Sequence, residues 1–423
     1  MPSEVFTCAL NWRAFALRKH PEKVPLKIAL SLDEMSIGGG STFALNLGRE
    51  LKRAGHQVAI VMHRQGVWWE EVAASGLQAY CLPKSIKSVV GQSKKLAEYW
   101  NEQKFDLIIL NLCGDNRVAQ FSLHYLADKP PVLTVLHGNW PSLYTLAHKH
   151  KDIWNCAVGV SPKVHAEAQL KFPEKPILSI LNGVEISVEE NVALHQGQTI
   201  PLRLLYVGRL TDVHKGILRL PLIVAGCLER HIPVHLTVIG DGEDHAKLIC
   251  ACSTVGIADH VSLLGIQAPG SIATAMRQHH ILLLPTNMEG MPLVVLEAQA
   301  NGCVVIATRL KGITDVAIDH NVSGFLVAPG SIDGFVDSIA ALQDHNRWRQ
   351  CSIAAKNRAQ RLFSLTVMGQ HYAEVAQCLV QGKYPLNWPF SSGKRATVPY
   401  GLLDYLPYHV RIILRHIRRM IIY

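Results

Sequence analysis

Two glutamates enclose an apolar run in the segment EGMPLVVLE, and they are the residues of this segment that could do chemistry. Glu289 follows the run HILLLP, which is typical of a buried strand, and Pro292 suits the first turn of a helix, where its missing N–H costs nothing. We therefore expect Glu289 at the carboxyl end of a strand and Glu297 about a turn and a half into a helix. The N–H groups near Gly290 and Met291 would face an anion or a sugar oxygen. A capping Glu289 and a solvated Glu297 would explain the spacing equally well.

Two cations follow another predicted strand in the segment YVGRLTDVHKGILRL. Gly208 and Arg209 are expected at the end of the strand, and Lys215 and Gly216 at the start of the next helix. Arginine gives bidentate contacts to phosphate and lysine acts as a point charge, so the pair suits a diphosphate. Two solvated loop cations are the alternative.

A glycine run and a histidine follow strands in the first half of the chain. In SIGGGSTF, Gly38 and Gly39 would let the backbone approach a phosphate. The run does not match G-x-G-x-x-G, and the second strand ends in IVMHR without the acidic residue that would hold an adenosine ribose. A nicotinamide or flavin site is therefore disfavoured. His137, in LHGNW, stands at the end of a strand, where a structural role is the more common one.

Short apolar runs alternate with helical stretches in both halves of the chain, which is typical of parallel sheets built from βαβ units. The pattern restarts at residue 202, after a polar linker at 189–200. The predicted fold class is α/β, with two doubly wound parallel-sheet domains facing a cleft. The predicted domains are 1–190 and 200–382, followed by a connector and basic amphipathic helix at 383–423.

The charge is concentrated in the tail, because residues 383–423 hold seven basic residues and one acidic residue, a net of +6 out of +9. Arg411, Arg415, Arg418 and Arg419 share one face of a helix, and apolar residues share another. This pattern predicts a peripheral enzyme on an anionic membrane surface, at the cytoplasmic face of the plasma membrane. Packing of the tail on the first domain and a partner interface are the alternatives. Neither a membrane span nor a signal peptide is expected, and nucleic acid is disfavoured as a partner.

Several catalytic motifs are absent from the chain: D-x-D, G-x-S-x-G, H-E-x-x-H and G-x-x-x-x-G-K-[ST]. The ten cysteines are scattered and form no C-x-x-C pair. These absences argue against serine hydrolysis, zinc hydrolysis, P-loop chemistry and metal-dependent sugar transfer. We therefore expect no metal site and no resident cofactor.

The order of the motifs resembles that of the retaining glycosyltransferases of the GT-B fold, family 4, over about residues 26–380. The motifs are GGGS after the first strand, HG at 137–138, VSP at 160–162, NGVE at 182–185, VGRL…HKG at 207–216, IGDGED at 239–244 and EGMP at 289–292, with the E-x7-E pair. Three positions depart from the family pattern, namely Ser41, Val304 and Asp315. Ser41 weakens inference about the acceptor, because it lies near its expected entry.

The resemblance implies a role for each matching position. Arg209 and Lys215 would bind the donor diphosphate, Glu297 the nucleotide ribose and Glu289 the hydroxyls of the donor sugar. His137 would contact that sugar from the opposite domain, and His137, Glu289, Arg209 and Lys215 form the expected catalytic set. The remaining expected donor-binding residues are Gly38, Gly39, Gly208, Gly240, Gly290, Met291 and Pro292.

The implied activity is transfer of a sugar from a nucleotide-diphosphate sugar, with a UDP-sugar favoured over a GDP-sugar, to a glycan or lipid-linked acceptor with retention. The implied setting is the biosynthesis of a cell-surface polysaccharide such as lipopolysaccharide, capsule or exopolysaccharide. Two alternatives stay open: a nucleotide-sugar epimerase or phosphorylase of the same fold, and a non-catalytic membrane-bound partner of a glycan assembly complex.

Overall fold

The computed structural model describes residues 23–35, 38–112, 116–186 and 201–382. The chain divides into two compact units. Of the described residues, the first unit contains those from Lys23 to Val160, Val164–Ile180 and those from Gly369 to Gly382. The second contains Ser161–Lys163 and Leu181–Met368. The linker at 189–200 and the tail with its four arginines lie outside the described residues.

The first unit is built on a seven-stranded parallel sheet with the strand order β3-β2-β1-β4-β5-β6-β7. Its strands are β1 Lys27–Glu34, β2 Gln57–Arg64, β3 Gln78–Cys81, β4 Leu107–Leu112, β5 Val132–Leu136, β6 Cys156–Gly159 and β7 Ile177–Ser179. Its helices are α1 Gly39–Arg53, α2 Trp69–Ala74, α3 Val89–Gln103, α4 Arg117–Ser122, α5 Pro141–Lys149 and α6 Pro162–Lys171. Strands β4 and β5 are buried along their whole length, which is why they read as continuous apolar runs.

The second unit has a six-stranded parallel sheet with the order β10-β9-β8-β11-β12-β13. Its strands are β8 Leu202–Val207, β9 Val234–Ile239, β10 Val261–Leu263, β11 Ile281–Leu284, β12 Val304–Thr308 and β13 Gly324–Val327. The helices that follow are α7 Asp212–Lys215, α8 Arg219–Glu229, α9 His245–Thr254, α10 Pro269–Gln278, α11 Leu293–Ala300, α12 Thr314–Ala317, α13 Ile332–Ala341, α14 His345–Leu362 and α15 Leu365–Val380.

The strand order reverses at the same place in both sheets, because β4 pairs with β1 and β11 pairs with β8. In open parallel sheets the crevice at such a reversal, at the carboxyl ends of the strands, is the usual ligand position. The predicted architecture of two doubly wound sheets is confirmed. The structure adds two short edge strands that the sequence pattern did not reveal, β3 and β7.

Helix α15 belongs mostly to the first unit, whereas the sequence assigned residues 200–382 to the second domain. The reason is packing within the first unit. Tyr372 is fully buried and lies edge-on to Phe43 of α1, with ring centroids 5.7 Å apart. The side-chain amide of Gln377 donates to the carbonyl of Val24, just before β1. None of the described helices has both the length and the apolar character needed to span a bilayer.

Candidate functional site

Glu289 and Lys215 are in direct contact. Glu289 lies in the loop after β11, and its side chain is 9% exposed. The Nζ of Lys215 donates to Glu289 Oε1 over 2.7 Å, and Lys215 itself is 26% exposed. The carboxylate is therefore charge-paired, as a buried acid requires, and it is not solvated. The alternative reading, in which Glu289 caps the helix, has no support in the hydrogen bonds of α11.

Thr286 is a residue of this cluster that sequence reasoning missed. Its Oγ1 lies 2.9 Å from Glu289 Oε1 and 2.8 Å from the carbonyl oxygen of His214. The backbone N–H of Asn287 donates to the same His214 carbonyl over 2.8 Å. These bonds tie the loop after β11 to α7, and so they hold Lys215 beside Glu289. The available signal was a polar residue immediately after the apolar run ILLLP, and the structure shows that this residue is fully buried.

Lys215 ends the short helix α7, whereas the sequence placed it at the start of the following helix. The reason is Gly216, which follows in the left-handed conformation with φ 61° and caps α7 through an N–H bond to the carbonyl of Asp212. A Cβ at this glycine would lie 2.2 Å from the carbonyl oxygen of Pro285. Only glycine fits here, so the position of Lys215 depends on it.

Arg209 is exposed at the carboxyl end of β8. No described residue forms a hydrogen bond or ion pair with its guanidinium. The hydroxyl of buried Tyr206 donates to its carbonyl oxygen over 3.0 Å, which fixes the backbone at this point. An arginine whose backbone is fixed, and whose guanidinium has no partner among the described residues, is well suited to bind an anion.

Gly240 has a structural reason to be glycine that the sequence did not reveal. It follows β9, the neighbour of β8, with φ 134°. A Cβ there would lie 2.0 Å from the carbonyl oxygen of Gly208, so the two strand exits touch through their backbones. A larger residue at position 240 would displace the segment that carries Arg209.

Glu297 lies in α11 and is half-buried. Burial raises the pKa of its carboxyl to about 7, and no described side chain is paired with it. Helix α11 begins at Leu293, and Pro292 is its N-cap in an extended conformation (ψ 102°). The sequence had suggested Pro292 inside the first turn, whereas it lies just before that turn. No described group accepts a hydrogen bond from the N–H of Gly290 or Met291. These two donors precede a helix N-terminus that has no acidic residue in its first turn.

The first unit carries the remaining predicted residues. Gly39 is the first residue of α1, and Gly38 precedes it with φ 148°, open space around it and no side-chain cap on the helix. His137 follows β5, and its Nε2 lies 3.2 Å from Asn111 Oδ1. Burial lowers the pKa of His137 to about 3, so the ring is neutral. Its ring is edge-on to Phe43 with centroids 4.6 Å apart.

Each unit thus gathers its predicted residues at the carboxyl edge of its sheet. In the second unit Lys215 and Glu289 are joined, and Arg209, Glu297 and the N–H groups before α11 are unpaired among the described residues. Their functional roles stay predictions. Among the described residues no group of three or more His, Cys, Asp or Glu side chains is placed to hold a metal ion.

Comparisons with known proteins agree on the family. Residues 193–358 match the family described as "Glycosyl transferases group 1", and residues 37–188 match "Glycosyltransferase Family 4". The chain is 22% identical over 356 residues to the N-acetyl-alpha-D-glucosaminyl L-malate synthase of Bacillus anthracis, covering 78% of this chain and 91% of that protein. It is 26% identical over 274 residues to the amylovoran biosynthesis glycosyltransferase of Erwinia amylovora, covering 58% of this chain and 64% of that protein.

A solved structure from Anabaena, described as a complex with UDP and glucose, has a TM-score of 0.68. The two are 18% identical, and the match covers 83% of this chain and 99% of that chain. At this identity the likeness shows the fold, which is GT-B. With the two family matches spanning both halves of the chain, the protein belongs to the group 1 glycosyltransferases, family 4, and is a transferase enzyme.

Proposed function

We propose that this enzyme transfers a sugar from a UDP-sugar to a glycan or lipid-linked acceptor, with retention of the anomeric configuration and without a metal ion. The observation that carries the proposal is the ion pair of Lys215 and Glu289, with exposed Arg209 at the end of the neighbouring strand. One carboxylate and two cations at one sheet edge match the two halves of such a donor, which are a hydroxyl-rich sugar and a diphosphate.

The cations and the helix N-terminus supply what the leaving diphosphate needs. Negative charge builds on its oxygens as the glycosidic bond breaks, and preorganised donors stabilise that charge. Arg209 offers a planar guanidinium that has no partner among the described residues, and Lys215 offers a point charge held at 2.7 Å from Glu289 Oε1. The N–H groups of Gly290 and Met291 add uncharged donors.

The two glutamates divide the remaining recognition. Glu289 accepts hydrogen bonds from the sugar hydroxyls, and Glu297 accepts them from the ribose. For Gly38 and Gly39 the proposed role is to let the backbone approach a phosphate, and for His137 it is a contact with a sugar hydroxyl. No residue is assigned as a covalent nucleophile, and the acceptor hydroxyl attacks from the face of the leaving group.

The proposal also names the nucleotide of the donor and the biosynthetic pathway. UDP is supported by the Anabaena neighbour that was solved with it. Cell-surface polysaccharide biosynthesis is supported by a relative from Escherichia coli, 30% identical over 206 residues, that is named lipopolysaccharide 1,6-galactosyltransferase. Peripheral attachment through the 383–423 tail follows from its charge. Sedimentation with anionic liposomes tests it, and equal binding by an Arg411/Arg415/Arg418/Arg419→Gln variant would contradict it.

A panel of nucleotide sugars, assayed with and without EDTA, tests the proposed function. We expect the purified full chain to release UDP from one UDP-sugar in the presence of acceptor lipid or glycan. We expect the rate to be unchanged by EDTA, because Arg209 and Lys215 supply the charge that a metal would supply elsewhere. Loss of activity with EDTA and recovery with Mg²⁺ or Mn²⁺ would contradict the leaving-group chemistry.

The alternatives give different results in the same panel. An epimerase would convert the nucleotide sugar with no acceptor present, and a phosphorylase would need inorganic phosphate. A non-catalytic partner would bind a donor without turnover. Among the described residues Arg209 and the N–H groups of Gly290 and Met291 have no partner, and Glu289 is paired with Lys215. This intact set argues against a non-catalytic partner, and the assay without acceptor separates the transferase from the epimerase.

The raised pKa of Glu297 predicts that UDP binding weakens at low pH. Below about pH 7 the carboxyl of the free protein is protonated and accepts ribose hydrogen bonds poorly. If only the carboxylate form binds, Kd at pH 6 is about tenfold above Kd at pH 8. The terminal phosphate of UDP also titrates in this range, and a Glu297→Gln variant retains that contribution while losing the contribution of Glu297. Calorimetry on both proteins gives the difference, and identical pH slopes would exclude the role of Glu297.

A further inference from the structure

Asn111 is a fully buried amide near the carboxyl end of β4, the strand between β1 and β5. Its Nδ2 donates to the carbonyl oxygen of Ser31 on β1 over 3.3 Å. A carbonyl oxygen can only accept, so this bond settles which end of the amide is the nitrogen. The other end, Oδ1, lies 3.2 Å from Nε2 of His137.

The orientation of the amide decides the tautomer of His137. An amide oxygen cannot donate, so the proton in the contact must come from His137 Nε2. The ring is neutral, because burial lowers the pKa of His137 to about 3, and a neutral imidazole carries one proton. Nδ1 is therefore bare, and no described residue is bonded to it. Phe43 fixes the plane of the ring from the side, 4.6 Å between centroids.

We propose that Asn111 is a positioning residue that holds His137 in the Nε2–H tautomer and so presents Nδ1 as a hydrogen-bond acceptor for a hydroxyl group of the donor sugar. The inference rests on the proposed function, in which His137 contacts that sugar. A histidine in the other tautomer, or in the charged form, would present N–H at Nδ1. The sugar hydroxyl would then have to accept a hydrogen bond instead of donating one. The amide of Asn111 thus decides that His137 accepts, and does not donate, the hydrogen bond to the sugar hydroxyl.

The test is a ¹⁵N spectrum of the histidine side chains in the full chain, with His137 assigned by its absence in a His137→Gln variant. The Nε2–H tautomer with a bare Nδ1 is expected in wild-type protein, unchanged from pH 5 to pH 8. An Nδ1–H tautomer, or titration near pH 6.5, overturns the proposal. This measurement needs no turnover, so it stands apart from the proposed function. If no donor supports transfer, the proposed function fails even where the tautomer is as expected.

Two Asn111 variants and a control complete the test. Asn111→Ala is expected to give a mixture of tautomers and a kcat/KM for the donor lower by about 10- to 100-fold, the same size of loss as for residues that orient metal-ligating histidines. Asn111→Asp is expected to raise the pKa of His137 and to add an acid-side fall to the pH profile. The control is Asn155→Ala, which removes the hydrogen bond that Asn155 Oδ1 accepts from the N–H of Val132 at the other end of β5. Folded Asn111→Ala with the wild-type tautomer and normal kcat/KM overturns the proposal. If Asn111→Ala does not fold, the wild-type spectrum decides.

Discussion

Replacing Arg209 with alanine is expected to lower turnover at saturating donor by about 30- to 1,000-fold, because one preorganised donor to a developing oxyanion is worth about 2–4 kcal/mol. Its guanidinium has no partner among the described residues, and its side chain is exposed. The described part of the protein therefore loses no hydrogen bond or ion pair with this side chain, and the melting temperature is expected to stay unchanged. Arg209→Lys retains charge without the planar fork and is expected to recover part of the rate.

The matched control for Arg209 is Arg230, an exposed arginine just after α8 of the same unit. Its guanidinium pairs with the exposed carboxylates of Asp333 and Asp337. Exposed pairs of this kind contribute little to stability. Arg230→Ala is expected to retain both the rate and the melting temperature. Wild-type turnover in Arg209→Ala, measured beside this control, would remove the phosphate role.

Lys215→Met is expected to cost both turnover and stability. It removes a proposed phosphate contact, so turnover is expected to fall by about 30- to 1,000-fold. It also leaves the buried carboxylate of Glu289 with Thr286 as its one hydrogen-bond partner among the described residues. Because Lys215 is partly exposed, we expect this to cost about 1–3 kcal/mol of unfolding free energy, below the cost of breaking a fully buried pair.

A second substitution separates the two effects. Adding Glu289→Gln to Lys215→Met removes the unpaired charge, so the double variant is expected to be more stable than Lys215→Met alone, although no more active. Denaturant unfolding and donor-saturated rates are measured on both singles and the double. Lys95→Met, which breaks an exposed pair with Glu98 on α3, controls for losing a lysine. Additive stability losses in the double variant would show that the pair is not coupled.

Most of the fold could be predicted because buried parallel strands are continuous apolar runs. The edge strands β3 and β7 could not, since they are short and only half-buried at best, so no run or alternation marks them. Helix α15 was predicted as a helix but assigned to the wrong unit. Its periodic pattern shows that it buries one face and does not show which sheet it packs on.

The candidate site could also be predicted only in part. Motifs placed Glu289 and Arg209 at strand ends and Lys215 at the start of a helix, but the 2.7 Å contact between Glu289 and Lys215 joins residues 74 positions apart. That contact depends on β8 and β11 being neighbours in the sheet, and the apolar pattern of the sequence does not predict which strands are neighbours. Asn111 was missed because it belongs to no motif. A single amide inside an apolar buried strand was its signal, because such a group is costly unless it is hydrogen-bonded.

The return of α15 to the first unit has a consequence for how the protein is made. About 190 residues separate Ile180 from Gly369, the points where the chain leaves the first unit and rejoins it. At roughly 5–20 residues per second, a ribosome needs on the order of 10–40 seconds to make them. During that time the nascent first unit lacks the ring of Tyr372 beside Phe43, the aromatic residue that also fixes the plane of His137. The order of synthesis thus places the packing of Tyr372 against Phe43, the neighbour of His137, after synthesis of the whole second unit.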